Sequence, residues 1–434
     1  MAGKEKDMRA LALETLTEWE KTSAKLDALV HEKLERHQDL PENIRGFYSR
    51  LTFGTVGDLI KLDHVISAYS NVPVRKLKPA IRNILRLSAY QLLEMKSVPA
   101  SAAVNEAVKL AVSKGFAPLK GFVNGVLRNI VRQPEKVVWP GKDDPVRYIN
   151  IMYSIPEYLA GKWVGEYGLE KTEDMCRSFA GGKKITIRIR STRNDISETL
   201  DLLEREGVKA VKADGAENAY FLEGRGRLEE LKAFEKGLFY VQDLSSQMSI
   251  EAADIKEGDS VLDLCASPGG KTMTAADILA GSGRVEARDI SQEKVVRIIE
   301  NISRCGFENV NASVHDACIF DPSCERAFDV VIADVPCSGY GVIGKKPDIK
   351  YGVSKEKETE LIKIQRQILD TACRYVRPGG TLVFSTCTVN REENAENAAW
   401  FVRNHEGFEK VFEEQLLPDE FHDGFYTARF IYGH

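Results

Sequence analysis

Nowhere in the sequence do 18 or more apolar residues run without a charge, and the opening MAGKEKDMRALALETLTEWEK has no apolar core of the kind a secretory leader needs. The expectation is a cytoplasmic protein with no transmembrane helix. The eight cysteines, Cys176, Cys265, Cys305, Cys318, Cys324, Cys337, Cys373 and Cys387, include no CxxC pair, and the seven histidines do not cluster with them. That argues against a disulfide framework and against a zinc site, so no metal is expected and any special cysteine must act as a thiol. Internal repeats and low-complexity tracts are also missing. What remains is an ordinary composition, 43% hydrophobic and 29% charged over 434 residues, enough for roughly three domains.

The net charge of −5 conceals an asymmetry. Between residues 61 and 140 there are thirteen Lys or Arg against four acids. A basic segment on an otherwise acidic chain suggests a polyanionic partner, because cations that neutralise phosphates release counterions. The plainer alternative is a solvated helical surface.

Residues 1–135 read as an all-α bundle. In SAAVNEAVKLAVSKG, Val104, Ala107, Val108, Ala111 and Val112 recur with helical spacing and Gly115 supplies a stop; GFVNGVLRNIVRQ repeats the pattern with Phe122, Val126 and Ile130. Residues 136–150, rich in proline and without a clear period, are the linker candidate. Residues 151–240 read as a small α+β domain, in which KITIRIR alternates like a strand with one covered face and Asp195 with Glu198 forms a capping-box pattern. From 241 to 434, short apolar strands (SVLDLCA, RVEARD, ASVHDA, FDVVIAD, GTLVFSTC) alternate with amphipathic helices, the pattern of a Rossmann-like α/β sheet, and FYTARFIYG is expected as a final edge strand.

In such a sheet, ligands bind beyond the carboxyl ends of the strands. Four acids stand at or near those ends: Asp263, Asp289, Asp316 and Asp334. The loop Cys265, Ala266, Ser267, Pro268, Gly269, Gly270, Lys271 is small enough for close backbone approach and leads into a helix. Together they suggest a nucleoside, with Asp289 suited to ribose hydroxyls and Asp316 to the region of an adenine amino group. A P-loop ATPase competes for GGKT, but that motif requires glycine where Cys265 stands, and Pro268 interrupts the loop. The other nucleoside ligand is S-adenosylmethionine, which would leave S-adenosylhomocysteine. Carbon 5 of cytosine is a poor nucleophile; a thiolate adding to carbon 6 makes it an enamine carbon able to attack a methyl sulfonium, helped by a carboxyl at ring nitrogen 3.

DVPCSGYG (334–341), STCTVNREEN (385–394), LDLCASPGGKT (262–272) and PDIKY (347–351) resemble the motifs of RNA 5-methylcytosine methyltransferases, class I enzymes dependent on S-adenosylmethionine. The resemblance implies that Cys387 is the nucleophile, that Cys337 assists product release, and that Asp334 contacts the target cytosine with Lys271 as a second contact. DNA cytosine methyltransferases use the cysteine of the PC motif instead, so possession of both favours RNA. The N-terminal bundle is similar to the NusB-like RNA-binding domain of bacterial members that modify 16S ribosomal RNA. The implied partner is that RNA, naked or early in small-subunit assembly, with no membrane and no obligate protein partner evident. Two departures stand out: Tyr340, where a small residue is common, and Lys346 in GKKPDIKY, where Arg is common.

Bland readings stand beside these. Cys176, Cys305, Cys318, Cys324 and Cys373 are read as inert packing. Asn390 with Glu393 could cap a helix following Cys387, whose positive end would favour a thiolate there. Lys345, Lys346 and Lys350 are either solvated or phosphate contacts. A noncatalytic RNA-binding assembly factor is the alternative to an enzyme, and the acid series with its loop argues against it.

Overall fold

The computed structural model describes every residue except Met1, Ser23, Asp39, Gly182, Arg225, Gly226 and His434. The chain divides into two compact units, one of residues 1–180 with 343–352 and one of residues 181–342 with 353–434. Among the described residues no helix is long and apolar enough to cross a membrane.

The first unit is helical throughout, around a core that includes Leu13, Tyr48, Leu51, Ile84, Leu85, Ala107, Val126 and Leu127. The stripes expected from spacing are present: helix Ala100–Ser113 buries Ala103, Val104, Ala107 and Ala111, and helix Lys120–Arg132 buries Val123, Val126, Leu127 and Ile130. Val112, counted in the first stripe, is 44% exposed. Helices do not end at the proline-rich stretch. Pro145–Tyr153 and Glu157–Ala180 are helical and belong to this unit, so the division falls near Gly181 rather than in 136–150. Pro145 sits at the first turn, where its missing N–H costs no hydrogen bond; a proline read as a breaker is here an initiator.

The basic window is only partly outward-facing. Arg86 is 6% exposed and holds Asp63 with two nitrogens and Glu20 with a third. Lys61, Arg82, Lys109 and Lys114 pair with Glu94, Glu20, Glu106 and Glu14. The other eight, Arg75, Lys76, Lys78, Lys96, Lys120, Arg128, Arg132 and Lys136, are exposed and form no ion pair with a described carboxylate.

Residues 343–352 complete this unit. Asp348 Oδ2 accepts from the N–H of Leu26 at the head of helix Leu26–Glu35 (3.0 Å), supplying a cap that Lys25 does not. Tyr351 donates to the carbonyl of Val56 and Lys350 Nζ to that of Gly57 (2.8 and 2.6 Å). Lys350 is 3% exposed, and its burial lowers its pKa to about 8. It is therefore a buried anchor and not a phosphate contact. Lys346 pairs with Asp27.

The second unit contains two sheets. Strands β1 (Ile185–Ile189), β2 (Val208–Lys212), β3 (Ala219–Gly224) and β4 (Phe239–Val241) form an antiparallel sheet ordered β2-β3-β1-β4. Asp195 caps helix Ile196–Arg205 through the N–H of Ser197. Contrary to the single covered face expected of KITIRIR, Thr186 and Arg188 are buried as well as Ile187 and Ile189; Arg188 reaches the carbonyl of Glu217 and the carboxylate of Glu251.

Seven strands form the larger sheet: β5 (Ser260–Asp263), β6 (Arg284–Asp289), β7 (Val310–Val314), β8 (Phe328–Asp334), β9 (Val376–Thr386), β10 (Phe408–Leu416) and β11 (Phe425–Tyr432). The order is β10-β11-β9-β8-β5-β6-β7, with β5 to β9 parallel and the last two antiparallel. Central β8 is buried on both faces, and its inner residues Val330, Val331, Ile332 and Ala333 are all apolar, as in covered parallel strands. FYTARFIYG is not the edge: it lies between β9 and β10. β10 escapes sequence reading because its charged residues, FEKVFEEQL, belong to an exposed edge.

Candidate active site

Parallel pairing brings the carboxyl ends of β5, β6, β8 and β9 to one edge, and the loops leaving β5, β8 and β9 contribute to the lining of a cavity of about 290 Å³. Cys265, Ala266, Ser267, Pro268, Gly270, Lys271, Asp334 and Cys387, all expected from sequence, line it, together with Gln242, Asp243, Ser246, Asp263, Asp423 and Phe425. Gly269 lies just behind the lining with φ of 106°, a left-handed turn that favours glycine and lets helix Gly270–Ile278 begin at once.

Asp263 ends β5 and is fully buried. Thr272 donates to its Oδ2 at 2.7 Å while Oδ1 has no partner. Burial pushes this carboxyl up to about 7, against the opposing pull of Thr272 and Lys271. In the sequence Asp263 stands among the strand-end acids with nothing to mark it as a ligand group; burial, its distinguishing property, is a tertiary fact.

Asp289 and Asp316 are not lining residues. Asp289 accepts from the N–H of Ser267 and of Ile290 and from Lys294 Nζ (3.0, 2.7 and 2.9 Å), so it braces the loop beside the cavity. Asp316 accepts from the N–H of Cys318. The Cys265 thiol is raised well above the usual range by burial and then by Asp263, Asp289 and Asp334, which leaves it an unreactive neutral group.

At the other end of the cavity Lys271 Nζ bonds Asp334 Oδ2 at 2.7 Å and Ser246 Oγ at 2.9 Å, and lies 4.9 Å from the centre of the Phe425 ring. Ser385 donates to Asp334 Oδ1. With one oxygen held by an ammonium and the other by a hydroxyl, Asp334 is fixed in direction. Three residues on, Cys337 Sγ stands 3.3 Å from Cys387 Sγ. The neighbouring Cys387, then burial, then the charges of Glu393 and Asp334 raise Cys337 well above the ordinary thiol range. The backbones meet as closely: Gly341 N–H donates to the carbonyl of Cys387 and Gly424 N–H to that of Gly341. A Cβ on Gly341 would fall 1.9 Å from the Gly424 oxygen.

Two readings of the flanking residues change. The helix after Cys387 begins only at Ala395, so its N-terminus does not serve that thiol, and Glu393 does not cap it. Tyr340 is buried with its hydroxyl 2.6 Å from Glu358 and forms part of the wall behind the loop.

Residues 251–431 match the 16S rRNA methyltransferase RsmB/F family, and residues 6–132 match the NusB family. The chain is 36% identical to the probable ribosomal RNA small subunit methyltransferase B of Bacillus subtilis (strain 168), across 96% of this chain and 93% of that protein. This chain belongs to the RsmB/F family of 16S rRNA methyltransferases. The ribosomal RNA small subunit methyltransferase B of Escherichia coli (strain K12) is 30% identical over 91% of this chain and 92% of its own. The crystal structure of PH0851 matches over 98% of both chains at 25% identity with a TM-score of 0.80. Membership makes the chain a methyltransferase dependent on S-adenosylmethionine, and the cavity fits that cofactor. The small-residue loop allows close backbone approach, and the orphaned Asp263 oxygen offers an acceptor to a cationic ligand.

Proposed function

We propose that this protein methylates carbon 5 of a cytosine in 16S ribosomal RNA through a covalent adduct of Cys387 with carbon 6. The observation that carries this reading is the pair of thiols 3.3 Å apart, of which Cys387 lines the same cavity as the Lys271–Asp334 pair and Cys337 stands against it from outside the lining. A methyl transfer to oxygen or to an exocyclic amine needs one acceptor-side base; it has no use for a second sulfur at the first.

S-adenosylmethionine, when bound, supplies an electrophilic methyl group. Residues 265–271 and the start of helix Gly270–Ile278 would hold it, with Asp263 Oδ1 accepting from its ammonium and with Asp289 and Asp316 toward the ribose and adenine. Asp334, oriented by Lys271 and Ser385, shares a proton with ring nitrogen 3 as the Cys387 thiolate adds to carbon 6. That addition places the electron pair of the ring double bond on carbon 5, which becomes nucleophilic. After methylation, Cys337 as thiolate takes the carbon 5 proton; the freed pair re-forms the double bond, the bond from Cys387 sulfur to carbon 6 breaks with its electron pair leaving on Cys387, and the nitrogen 3 proton returns to Asp334. The cytosine must be unpaired or flipped, since stacking covers both ring faces. The eight exposed cations of residues 61–140 that form no ion pair with a described carboxylate would contact RNA phosphates, on naked or early-assembly small-subunit RNA.

The test uses unmethylated 16S ribosomal RNA, S-adenosylmethionine and Cys337→Ala protein on a denaturing gel. A protein–RNA band is expected, and it should disappear when Cys387→Ala is added. A band that depends on Cys337 alone would exchange the two roles, and the absence of a band despite RNA binding would sink the covalent mechanism.

A further inference from the structure

Each cysteine of the pair is followed by a hydroxyl residue, and the two hydroxyls meet: Ser338 Oγ lies 2.7 Å from Thr388 Oγ1. Behind them stands Glu393, with no exposure to solvent. Its Oε1 accepts from the Ser338 hydroxyl (2.5 Å) and from Asn390 Nδ2 (2.8 Å); its Oε2 accepts from the Ser338 N–H (2.9 Å) and from Gln365 Nε2 (2.8 Å). Gln365, from helix Lys355–Ala372, also donates to the carbonyl of Pro336, and Asn397 donates to Gln365 in turn. Gln365, Thr388, Asn390 and Asn397 are all buried.

A fully buried carboxylate is costly unless its acceptor sites are met, and here four donors meet them. The donors are not spread at random. Two come from the residue next to Cys337, one from the loop that carries Cys387, and one from a helix that serves as backing. We infer that Glu393 is a positioning residue that holds the Cys337 loop in register with Cys387, so that the second thiol can reach a cytosine already bound to the first. The inference rests on the two-thiol reading above. It deepens that reading by assigning part of the release step to a carboxylate that touches no substrate. Glu393 also contributes to the raised pKa of Cys337, which agrees with its nearness to that sulfur.

The geometry makes the loss of Glu393 asymmetric. Addition needs Cys387, whose carbonyl is held separately by Gly341. Release needs both sulfurs in register. Glu393→Gln preserves size but turns one oxygen into an N–H₂ group facing two donors, either the Ser338 N–H with Gln365 or the Ser338 hydroxyl with Asn390. Two readouts follow. Without RNA, a short bifunctional thiol alkylator such as dibromobimane bridges Cys337 to Cys387, and Cys337→Ala protein marks the background. Bridging should slow at least tenfold in Glu393→Gln while single labelling of Cys387 stays within about twofold. With RNA and S-adenosylmethionine, turnover should fall tenfold or more while the covalent band grows relative to wild type, as in Cys337→Ala.

A variant that bridges and partitions like wild type overturns the inference, as does one that loses turnover and adduct together while bridging normally. If Glu393→Gln does not fold, Ser338→Ala removes both hydroxyl contacts, keeps the N–H bond, and should move the same two readouts in the same direction. Absence of adduct in Cys337→Ala itself would refute the covalent mechanism, and the bridging rate would still decide by itself whether Glu393 holds the two sulfurs in register.

Discussion

Replacing Asp263 by Asn separates what this carboxyl costs the fold from what it does for the ligand. Its pKa rises from an ordinary 3.8 to about 7. Below pH 3.8 the group is neutral in folded and unfolded chains and has no effect. Between 3.8 and 7 the unfolded chain releases the proton while the folded one keeps it, so stability falls as pH rises, and above 7 the full penalty is present. At about 1.4 kcal/mol per pH unit this amounts to about 4 kcal/mol, of which about 2–3 kcal/mol accumulates between about pH 5 and pH 8. Asn carries no such penalty and can keep the Thr272 bond, but its N–H₂ inherits the place of the orphaned Oδ1, at a cost of about 1–3 kcal/mol. Urea denaturation should therefore show the variant gaining on wild type by about 2–3 kcal/mol from about pH 5 to pH 8, and other titrating groups cancel in the difference. Calorimetry of S-adenosylhomocysteine should show about 10- to 100-fold weaker binding to the variant, the value of a hydrogen bond to a charged partner. Affinity of the wild type should rise as pH passes through 7, and that of the variant should not. A pH-independent stability difference would refute the buried-carboxyl argument, and unchanged affinity would remove Asp263 from the ligand site.

Lys350 titrates with the opposite charge but the same logic. Its folded pKa of about 8 lies below the usual 10.5, so the unfolded chain binds more protons in that interval and stability rises with pH across it. Relative to Lys350→Met, the wild type should gain about 3 kcal/mol between about pH 7 and pH 11 in the unfolding of the helical unit; parallel pH curves would contradict the burial. Gly341→Ala should destabilise by about 1–3 kcal/mol and abolish turnover, because its Cβ meets a carbonyl oxygen and not a movable side chain; a melting temperature equal to wild type would count against the close approach. Joint replacement of Arg128, Arg132 and Lys136 by Gln should weaken RNA binding and shallow its logarithmic salt dependence by up to about three, one for each phosphate that is no longer neutralised. Replacement of ion-paired Lys109 and Lys114 should change the slope less, and equal effects would argue against a phosphate-contacting set.

Much of the site is legible in the sequence. Periodicity separates the helical segment from the α/β segment, and the acids with the small-residue loop point to a nucleoside ligand. The resemblance assigns Cys387, Asp334 and Lys271, which the structure brings to one cavity together with most of the loop, and Cys337, whose sulfur lies outside the lining against that of Cys387. The readings that changed share one cause. Arg86 and Lys350 are drawn as surface cations by composition, but partners 23 and 293 residues away make them interior. Glu393 has the spacing of a cap, but its bonds run to Ser338, 55 residues away. β10 carries too many charges to read as a strand, until β11 pairs with it.

Fold class, the order of the segments and the chemical identity of the candidate groups are properties of local pattern, since hydrophobic spacing and residue type are written along the chain. The gap of 3.3 Å between two sulfurs 50 residues apart, the burial that sets Asp263 and Lys350 apart from their chemical equals, and the four donors on Glu393 were decided by tertiary structure. Each depends on which strands become neighbours and on what dielectric surrounds the group once they do.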